Sequence, residues 1–570
     1  MSGDFIYSAL INQNEMHVSW NVPIYIRQTF ECYFGRPMSQ WELNIKIVDE
    51  TDSYSDESNS QTHQEVILKD DCSEWVMKGL QEKRSYRVEL GIKLSDQGFF
   101  PILLSEENSA ENKTNSRSWA KHVSTYTSYE NVHRNNWNWL YAKRQRMIDV
   151  TAANNDSSCM IDNFQCSPYI NECPNKKILM LTWEYPPHII GGLARHVYGL
   201  SQGLKKMGHE VHVLTANPKN EIPDEIIEGV HIHRVSPLND NDSDFLSWIG
   251  GLNIAMVRKA VQLFAAHPFA VIHAHDWLVG ASAITLRTLF NCPLIATIHA
   301  TEHGRNQGIY TELQKFIHEK ETDLILAADQ MIVCSKFMEN DLKKVFLFSR
   351  QKCSIIPNAV EPMNTKAGNI ENKAPAAVQK NKKLIFSIGR MVREKGFDTL
   401  IDTAAALKDR YPDIYFIIAG KGPMLDHFRR KVSDLNLCGT VYFPGFISED
   451  LKNAFYQECF MTVFPSHYEP FGIVAIESLA FAKPTIVSDT GGLKEIVLHK
   501  ETGFLAAPND CGSLTDQMIF ILEHEEQANE IGQNGKKLVE SIFSWERVAH
   551  QTEEVYAKAI ANRDENLYKV

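Results

Sequence analysis

The stretch "HYEPFGIVAIESLA", residues 467–480, holds two carboxylates, Glu469 and Glu477, eight positions apart on either side of a Phe471-Gly472 break. Two acids this close suit either an acid/base pair of the hydrolytic kind or two separate contacts to one ligand. Eight residues of continuous helix would part them by about 12 Å, whereas a retaining hydrolytic pair needs roughly 5–5.5 Å. A turn at Pro470-Phe471-Gly472 can shorten that gap, so spacing alone leaves both readings open. Their company is more telling. In "SIGRMVREKGFD", Arg390 and Lys395 follow an apolar run and precede a helical pattern. The first offers a planar fork and the second a point charge, both suited to phosphate. Gly191-Gly192 in "WEYPPHIIGGLARHV" and Gly491-Gly492 in "SDTGGLKEIV" each open a helical pattern, where bare amides and the helix dipole favour an oxyanion. Gly420 and Gly422 of "AGKGPM" read as a turn. His273, His275 and Asp276 of "IHAHDWLVG" and His299 of "TIHATEHG" stand where apolar runs end. Strand alternation puts His273 and His275 on one face and Asp276 on the other, which suits a polar rim for a hydroxyl-rich substrate better than a metal. Tight turns, surface cations and a core His273 are the plain alternatives.

Positioning these groups falls to a chain that changes texture twice. Residues 1 to about 110 alternate apolar and polar residues in short bursts ("MHVSWNV", "WELNIKIVDE", "SYRVELGIKL") divided by Asp/Ser/Asn clusters, the pattern of a small all-β module over 1–115. Its Trp20, Trp41, Trp75 and Tyr86 could stack on sugar rings or fill a sandwich core, and the second is favoured. A polar linker follows over 116–175. From Lys176 the run "KKILMLTW", a helical pattern and "EVHVLTA" make a βαβ unit. The series continues through "FAVIHAHDW", "CPLIATIHA", "QMIVCS" and "CSIIPNAV" to about residue 365. A second series covers 380–545: "KLIFSIGR", "IYFIIAGKG", "TVYFPGF", "MTVFPS" and "PTIVSDTGG". Two Rossmann-like parallel-sheet domains are expected, and ligands of such sheets bind at the carboxyl ends of strands, where the residues above fall.

The 570 residues carry a formal net charge of −13, which argues against nucleic acid or an anionic membrane as a main partner. No apolar run is long enough to span a membrane. "MSGDFIYSAL" has no basic region leading an apolar one, so no secretory signal is read. Eleven cysteines are scattered with no C-x-x-C pair. Cys159, Cys166 and Cys173 recur every seven residues, wider than the usual zinc spacing. A reduced, cytoplasmic setting is expected.

Taken in order, "EYPPHIIGGLARHV", "HAHDW", "TIHATEHGRNQG", "GRMVREKG", "SHYEPFGIVAIESLA" and "SDTGGLKE" resemble the motifs of retaining, GT-B-fold transferases of glycosyltransferase family 4, with kinship to glycogen synthases. The resemblance covers about residues 176–550, and the first hundred residues look like an uncharacterised β-rich domain found ahead of such transferases. It implies a donor diphosphate on Arg390 and Lys395, a phosphate loop at Gly191 and Gly192, and a donor-sugar contact from His299. It places Asp276 beside the reacting centre or acceptor. Glu469 would bond the transferred sugar with the Phe471, Gly472 and Ile473 amides nearby, Glu477 the nucleotide ribose, and Gly491 and Gly492 would border the phosphates or donor sugar. The implied partners are a nucleotide-sugar donor, UDP- or ADP-glucose, and an α-1,4-glucan or oligosaccharide acceptor. No cofactor is implied and no metal: "DND" at 240–242 lies in a polar surface stretch, and Arg390 and Lys395 can replace an ion. A helix over 546–570 would cross back onto the first domain. One departure stands out: Ile189 occupies the position where bacterial glycogen synthases carry a lysine. Another acceptor (sucrose-type, lipid-linked or capsular) and a catalytically silent glycan-binding protein remain as alternatives. The intact Glu469, Arg390, Lys395, His299 and Asp276 speak against the second.

Overall fold

The computed structural model describes residues 5–105, 175–360 and 382–567, apart from short stretches within the first two of these spans. The 116–175 linker except Asn175, with Cys159, Cys166 and Cys173, and the "DND" at 240–242 lie outside the described residues. No helix among the described residues is long and apolar enough to cross a membrane.

The central part is an eight-stranded sheet. Its spatial order is Asp224–Ile227, Val230–Val235, Glu210–Ala216, Lys177–Leu181, Val271–His275, Leu294–Ile298, Gln330–Val333 and Cys353–Ile355. Every pair is parallel except the antiparallel edge strand Asp224–Ile227. A second sheet of six parallel strands runs Val441–Tyr442, Ile414–Ala419, Lys383–Ile388, Met461–Phe464, Thr485–Ser488 and Phe504–Ala506. The inner strands are buried on both faces, as helix-covered parallel sheets require. Each sheet reverses its order beside its first strand, Lys177–Leu181 or Lys383–Ile388, and at such a switch point strand ends diverge into a crevice.

The carboxyl-terminal helix Trp545–Leu567 returns to the first sheet. It packs on the helix Gly192–Lys206, where Trp545 and Ala549 press on Gly199 and Gly203. Its buried Tyr556 hydroxyl lies 2.8 Å from His273 Nδ1, beneath the sheet's carboxyl edge.

The amino-terminal module is β-rich but not all-β. A three-stranded antiparallel sheet (Phe5–Asn12, Glu15–Asn21, Glu74–Lys78) accompanies a four-stranded one (Gln61–Ile67, Leu43–Asp49, Tyr86–Ser95, Gly98–Leu104). In the chain, the helix Ile24–Phe34 falls between the strands Glu15–Asn21 and Leu43–Asp49. It starts after the extended Pro23, buries Ile26, Phe30, Tyr33 and Phe34 at helical spacing, and ends at Gly35, whose φ of 70° suits a left-handed terminator. This helix docks the module. Tyr33 Oη donates to Leu246 O at 2.6 Å, and Lys320 Nζ donates to Cys32 O at 3.0 Å. The Tyr33 ring meets Phe316 edge-on at 5.5 Å. Trp20 and Tyr86 are buried, and Trp41 packs edge-on against Phe30 and Phe34, so these aromatics serve packing.

Candidate active site

The carboxyl ends of the two parallel sheets face each other across a cleft of about 830 Å³. Its lining includes Gly191, Gly192, Asp276, His299, Arg390, Lys395, Glu469, Phe471, Gly472 and Ile473, ten residues singled out from the sequence. Glu477, Gly491 and Gly492 stand behind that surface.

On the second-domain wall, the strand Lys383–Ile388 ends and the chain turns through Arg390 into the short 3-10 turn Arg393–Lys395. Lys395 Nζ donates to Glu469 Oε2 at 2.5 Å, and Arg390 Nη2 donates to Glu394 Oε1 at 3.1 Å. Both candidate phosphate cations therefore hold a carboxylate of their own wall. The same turn fixes the acidic loop: His467 N–H donates to Glu394 O at 2.7 Å. Gly396 (φ 66°) is required there, since a Cβ would collide with the Pro465 carbonyl oxygen. Gly491 (φ 56°) likewise leaves no room for a Cβ against the Glu469 carbonyl, and Gly492 N–H donates to Glu469 O at 2.8 Å. The second glycine pair thus buttresses the Glu469 loop from behind and does not front the cleft. The helix it precedes is only Leu493–Ile496.

Glu477 lies inside the helix Ile473–Ala480, which opens after Gly472. Its Oε1 accepts from Arg195 at 2.7 Å and from Lys452 at 2.7 Å, and its Oε2 accepts from Tyr456 at 3.1 Å. Burial alone would raise this carboxyl, but the Lys452 and Arg195 charges and the bonds from Lys452 and Tyr456 hold it below the usual carboxylate range. Glu469 and Glu477 keep separate partners and share no hydrogen bond among those observed, unlike a hydrolytic pair. Arg195 comes from the helix Gly192–Lys206 of the opposite domain and also pairs with Glu449. Gly192 meets Ile473 across the cleft, and Lys336 and Phe337 N–H donate to Glu495 at 2.8 and 2.6 Å. The two domains are in closed contact.

The first-domain wall is built differently. The loop after Lys177–Leu181 passes through a cis Pro186-Pro187 bond to Gly191-Gly192. Beneath it the buried Glu184 Oε2 accepts from Ile190 N–H at 2.6 Å and Gly191 N–H at 3.3 Å. Burial pushes this carboxyl up to about 7, against the pull of those amides and of Arg390. Asp276 follows the strand Val271–His275 with φ 62° and ψ 170°, a region few non-glycine residues visit. Its Oδ1 accepts from His299 N–H at 2.8 Å, joining two adjacent strand ends. Burial raises Asp276 to about 6 despite Arg305. Burial holds His299, beside the same arginine, down at about 3. Ile189 lines the cleft where a lysine would add charge.

Five residues of the site were not singled out in the sequence: Glu184, Arg195, Arg305, Glu394 and Lys452. Glu184 had a readable signal, as a lone acid between an apolar strand and a glycine pair in "TWEYPPHIIGG". Arg305 sits inside the quoted "TIHATEHGRNQG". Arg195 and Lys452 reach Glu477 from different domains, a meeting that only the fold creates.

Facing parallel sheets with cations and glycine turns at their carboxyl ends define a GT-B architecture. Residues 190–363 match the family described as Glycosyltransferase Family 4, and residues 369–538 match Glycosyl transferases group 1. Residues 4–121 match a Domain of unknown function (DUF4912). An uncharacterized glycosyltransferase of Methanocaldococcus jannaschii is 33% identical over 390 residues, 67% of this chain and 98% of that protein. A glycogen synthase of Mycobacterium tuberculosis is 32% identical over 401 residues, 67% of this chain and 95% of that protein. Among solved structures, sucrose-phosphate synthase from Thermosynechococcus elongatus superposes with a TM-score of 0.60 at 26% identity, covering 68% of this chain and all of that one. The chain belongs to the family-4, group-1 glycosyltransferases of GT-B fold, and it carries a β-rich module ahead of the transferase domains.

Proposed function

We propose that the chain moves a glucosyl unit from UDP- or ADP-glucose to the non-reducing end of an α-1,4-glucan, with retention at the anomeric carbon and without a metal. The observation that carries this reading is the Lys395–Glu469 pair at 2.5 Å, set beside Arg390 and opposite the Gly191-Gly192 loop. The likeness to a glycogen synthase over 401 residues supports the glucan acceptor.

The chemistry follows from the side chains. A nucleotide-sugar donor leaves as a diphosphate, so the barrier falls when fixed positive groups face the developing charge. Diphosphate oxygens take over Lys395 and Arg390, which frees Glu469 to accept from hydroxyls of the transferred sugar. The Gly192 amide closes on the phosphates from the opposite domain, and the Gly191 amide joins it by leaving Glu184. Glu477 accepts from the ribose hydroxyls, which requires Arg195 to give up part of its hold. Asp276 and His299 border the sugar from the first domain, where little bulk water competes. His299 stays neutral at physiological pH and serves as a hydrogen-bonding group, not a cation. The cationic pair takes the role an ion plays in metal-dependent transferases.

Nucleotide-sugar donors assayed against maltooligosaccharides test the assignment. Chain elongation from UDP- or ADP-glucose supports it, and elongation from neither overturns the glucan reading. A sucrose-type acceptor is the second reading, favoured by the 26% identity to sucrose-phosphate synthase. Hexose phosphates in the same assay separate the two.

A further inference from the structure

At the floor of the first-domain wall three imidazoles from three elements meet. His196 comes from the helix Gly192–Lys206, His275 ends its strand, and His299 follows the next strand. Each offers a ring nitrogen, and these nitrogens lie within 4.8 Å of one another. His196 meets His299 at 76° and His275 at 59°, while His275 and His299 lie closer to parallel, at 28°. His275 Nδ1 and His299 Nε2 are 3.3 Å apart. That is close to the separation two nitrogens adopt on one tetrahedral zinc at bonds of about 2.0–2.1 Å.

Nε2 of His196 is buried without a hydrogen-bond partner, and so is Nε2 of His275, the far nitrogen of the ring whose Nδ1 faces His299; the two residues are only 2% and 0% exposed. His196 Nδ1 lies 2.7 Å from Asn358 Oδ1. An acceptor there draws the proton to Nδ1 and leaves Nε2 an unprotonated lone pair in the buried interior. A carbonyl oxygen on the far nitrogen is how metal-bound histidines are oriented. The second candidate cluster, Glu210, His212 and His231, is built otherwise. His212 and His231 stack at 6°, so their lone pairs run side by side, and His212 already bonds Glu210 and His233.

We propose that His196, His275 and His299 form a site for a zinc-class divalent transition ion, with its fourth position open to the cleft past His299. An ion bound there withdraws His299 from the donor pocket, so it inhibits transfer and is not a cofactor. The inhibitory part rests on the donor-site reading above, while the binding part does not.

The test titrates the full-length chain, stripped by chelation, with Co²⁺ alone and follows its visible absorption. One equivalent should give the intense bands of a four-coordinate ion without sulfur charge-transfer. His196→Gln should abolish them and Asn358→Leu should weaken binding by about tenfold, each variant first shown to fold by its unfolding midpoint. His212→Gln, in the other cluster, should leave the bands unchanged. Absence of bands, their loss in His212→Gln instead, or sulfur charge-transfer would overturn the site. Zn²⁺ should inhibit the wild type reversibly, with an inhibitory concentration about tenfold or more higher for Asn358→Leu. Equal inhibition of that variant would overturn the regulatory part. A wild type with no transferase activity would sink the donor reading and leave the cobalt result standing.

Discussion

The two walls of the cleft solve opposite electrostatic problems. The second-domain wall keeps charge: Lys395 with Glu469, Arg390 with Glu394, and Lys452 with Glu477, each close enough for a direct hydrogen bond. The first-domain wall also carries the cations Arg195 and Arg305, but where it fronts the sugar it suppresses charge by burial, raising Glu184 to about 7 and Asp276 to about 6 and lowering His299 to about 3. A charged wall suits a diphosphate, whose oxygens can replace the resident carboxylates at little cost in desolvation. A neutral wall suits hydroxyls, which need partners but no compensating charge. That difference suits the diphosphate to the second-domain wall and sugar hydroxyls to the first.

The largest effect should come from breaking the charged wall. Arg390→Ala with Lys395→Ala should lower kcat/KM about 10⁴-fold or more, by the scale of cations and oxyanion donors in phosphoryl and acyl transfer. Full activity in steady-state assays of that double variant would remove the diphosphate site. Glu469→Gln should cost about 10²-fold, mostly in kcat, since an amide keeps the shape but not the charge-assisted bonds to the sugar. A loss confined to KM would mean that Glu469 only holds Lys395.

The neutral wall makes a prediction about stability. Glu184 has a higher pKa folded than unfolded, so between about 4.5 and 7 the folded chain holds a proton the unfolded chain has released. Its contribution is therefore fully present below 4.5 and lost as pH rises through about 7. Glu184→Gln should flatten the pH dependence of the urea midpoint in that window, by on the order of 2–3 kcal/mol between pH 4.5 and 8. An unchanged slope would show that Glu184 is not held protonated.

The smallest effect sharpens the contrast. Ile189→Lys places a cation on the first-domain wall beside the Gly191-Gly192 loop. It should lower the donor KM by only a few fold, as a partly solvated charge near an anion does. A large gain would mean that a full cation on this wall, and not amides alone, is what the phosphates call for.

How much of this could be read from the chain differs between the walls. Arg390, Lys395 and Glu469 stood out because charge beside a strand end is rare and their loops are short in sequence. The inner strands were equally plain, being continuous apolar runs. The hairpin Asp224–Ile227 and Val230–Val235 was not singled out, because "DEII" and "VHIHRV" alternate with polar residues at a sheet edge. The helix Ile24–Phe34 was lost among the β-patterned bursts around it. Glu184 and Arg195 escaped for a different reason. A carboxyl under a glycine loop and an arginine crossing to Glu477 acquire meaning only from neighbours distant in sequence. Gly491 and Gly492 show the converse: a ligand-loop signature in the sequence that the fold uses to support Glu469.

The central claim is retaining transfer from a nucleotide-sugar to a glucan, and it is tested most directly by the anomeric configuration of the first product. Proton NMR of a maltooligosaccharide incubated with the chain and UDP- or ADP-glucose, recorded before equilibration, should show a new α-linked glucosyl residue. A β-linked product would contradict the account.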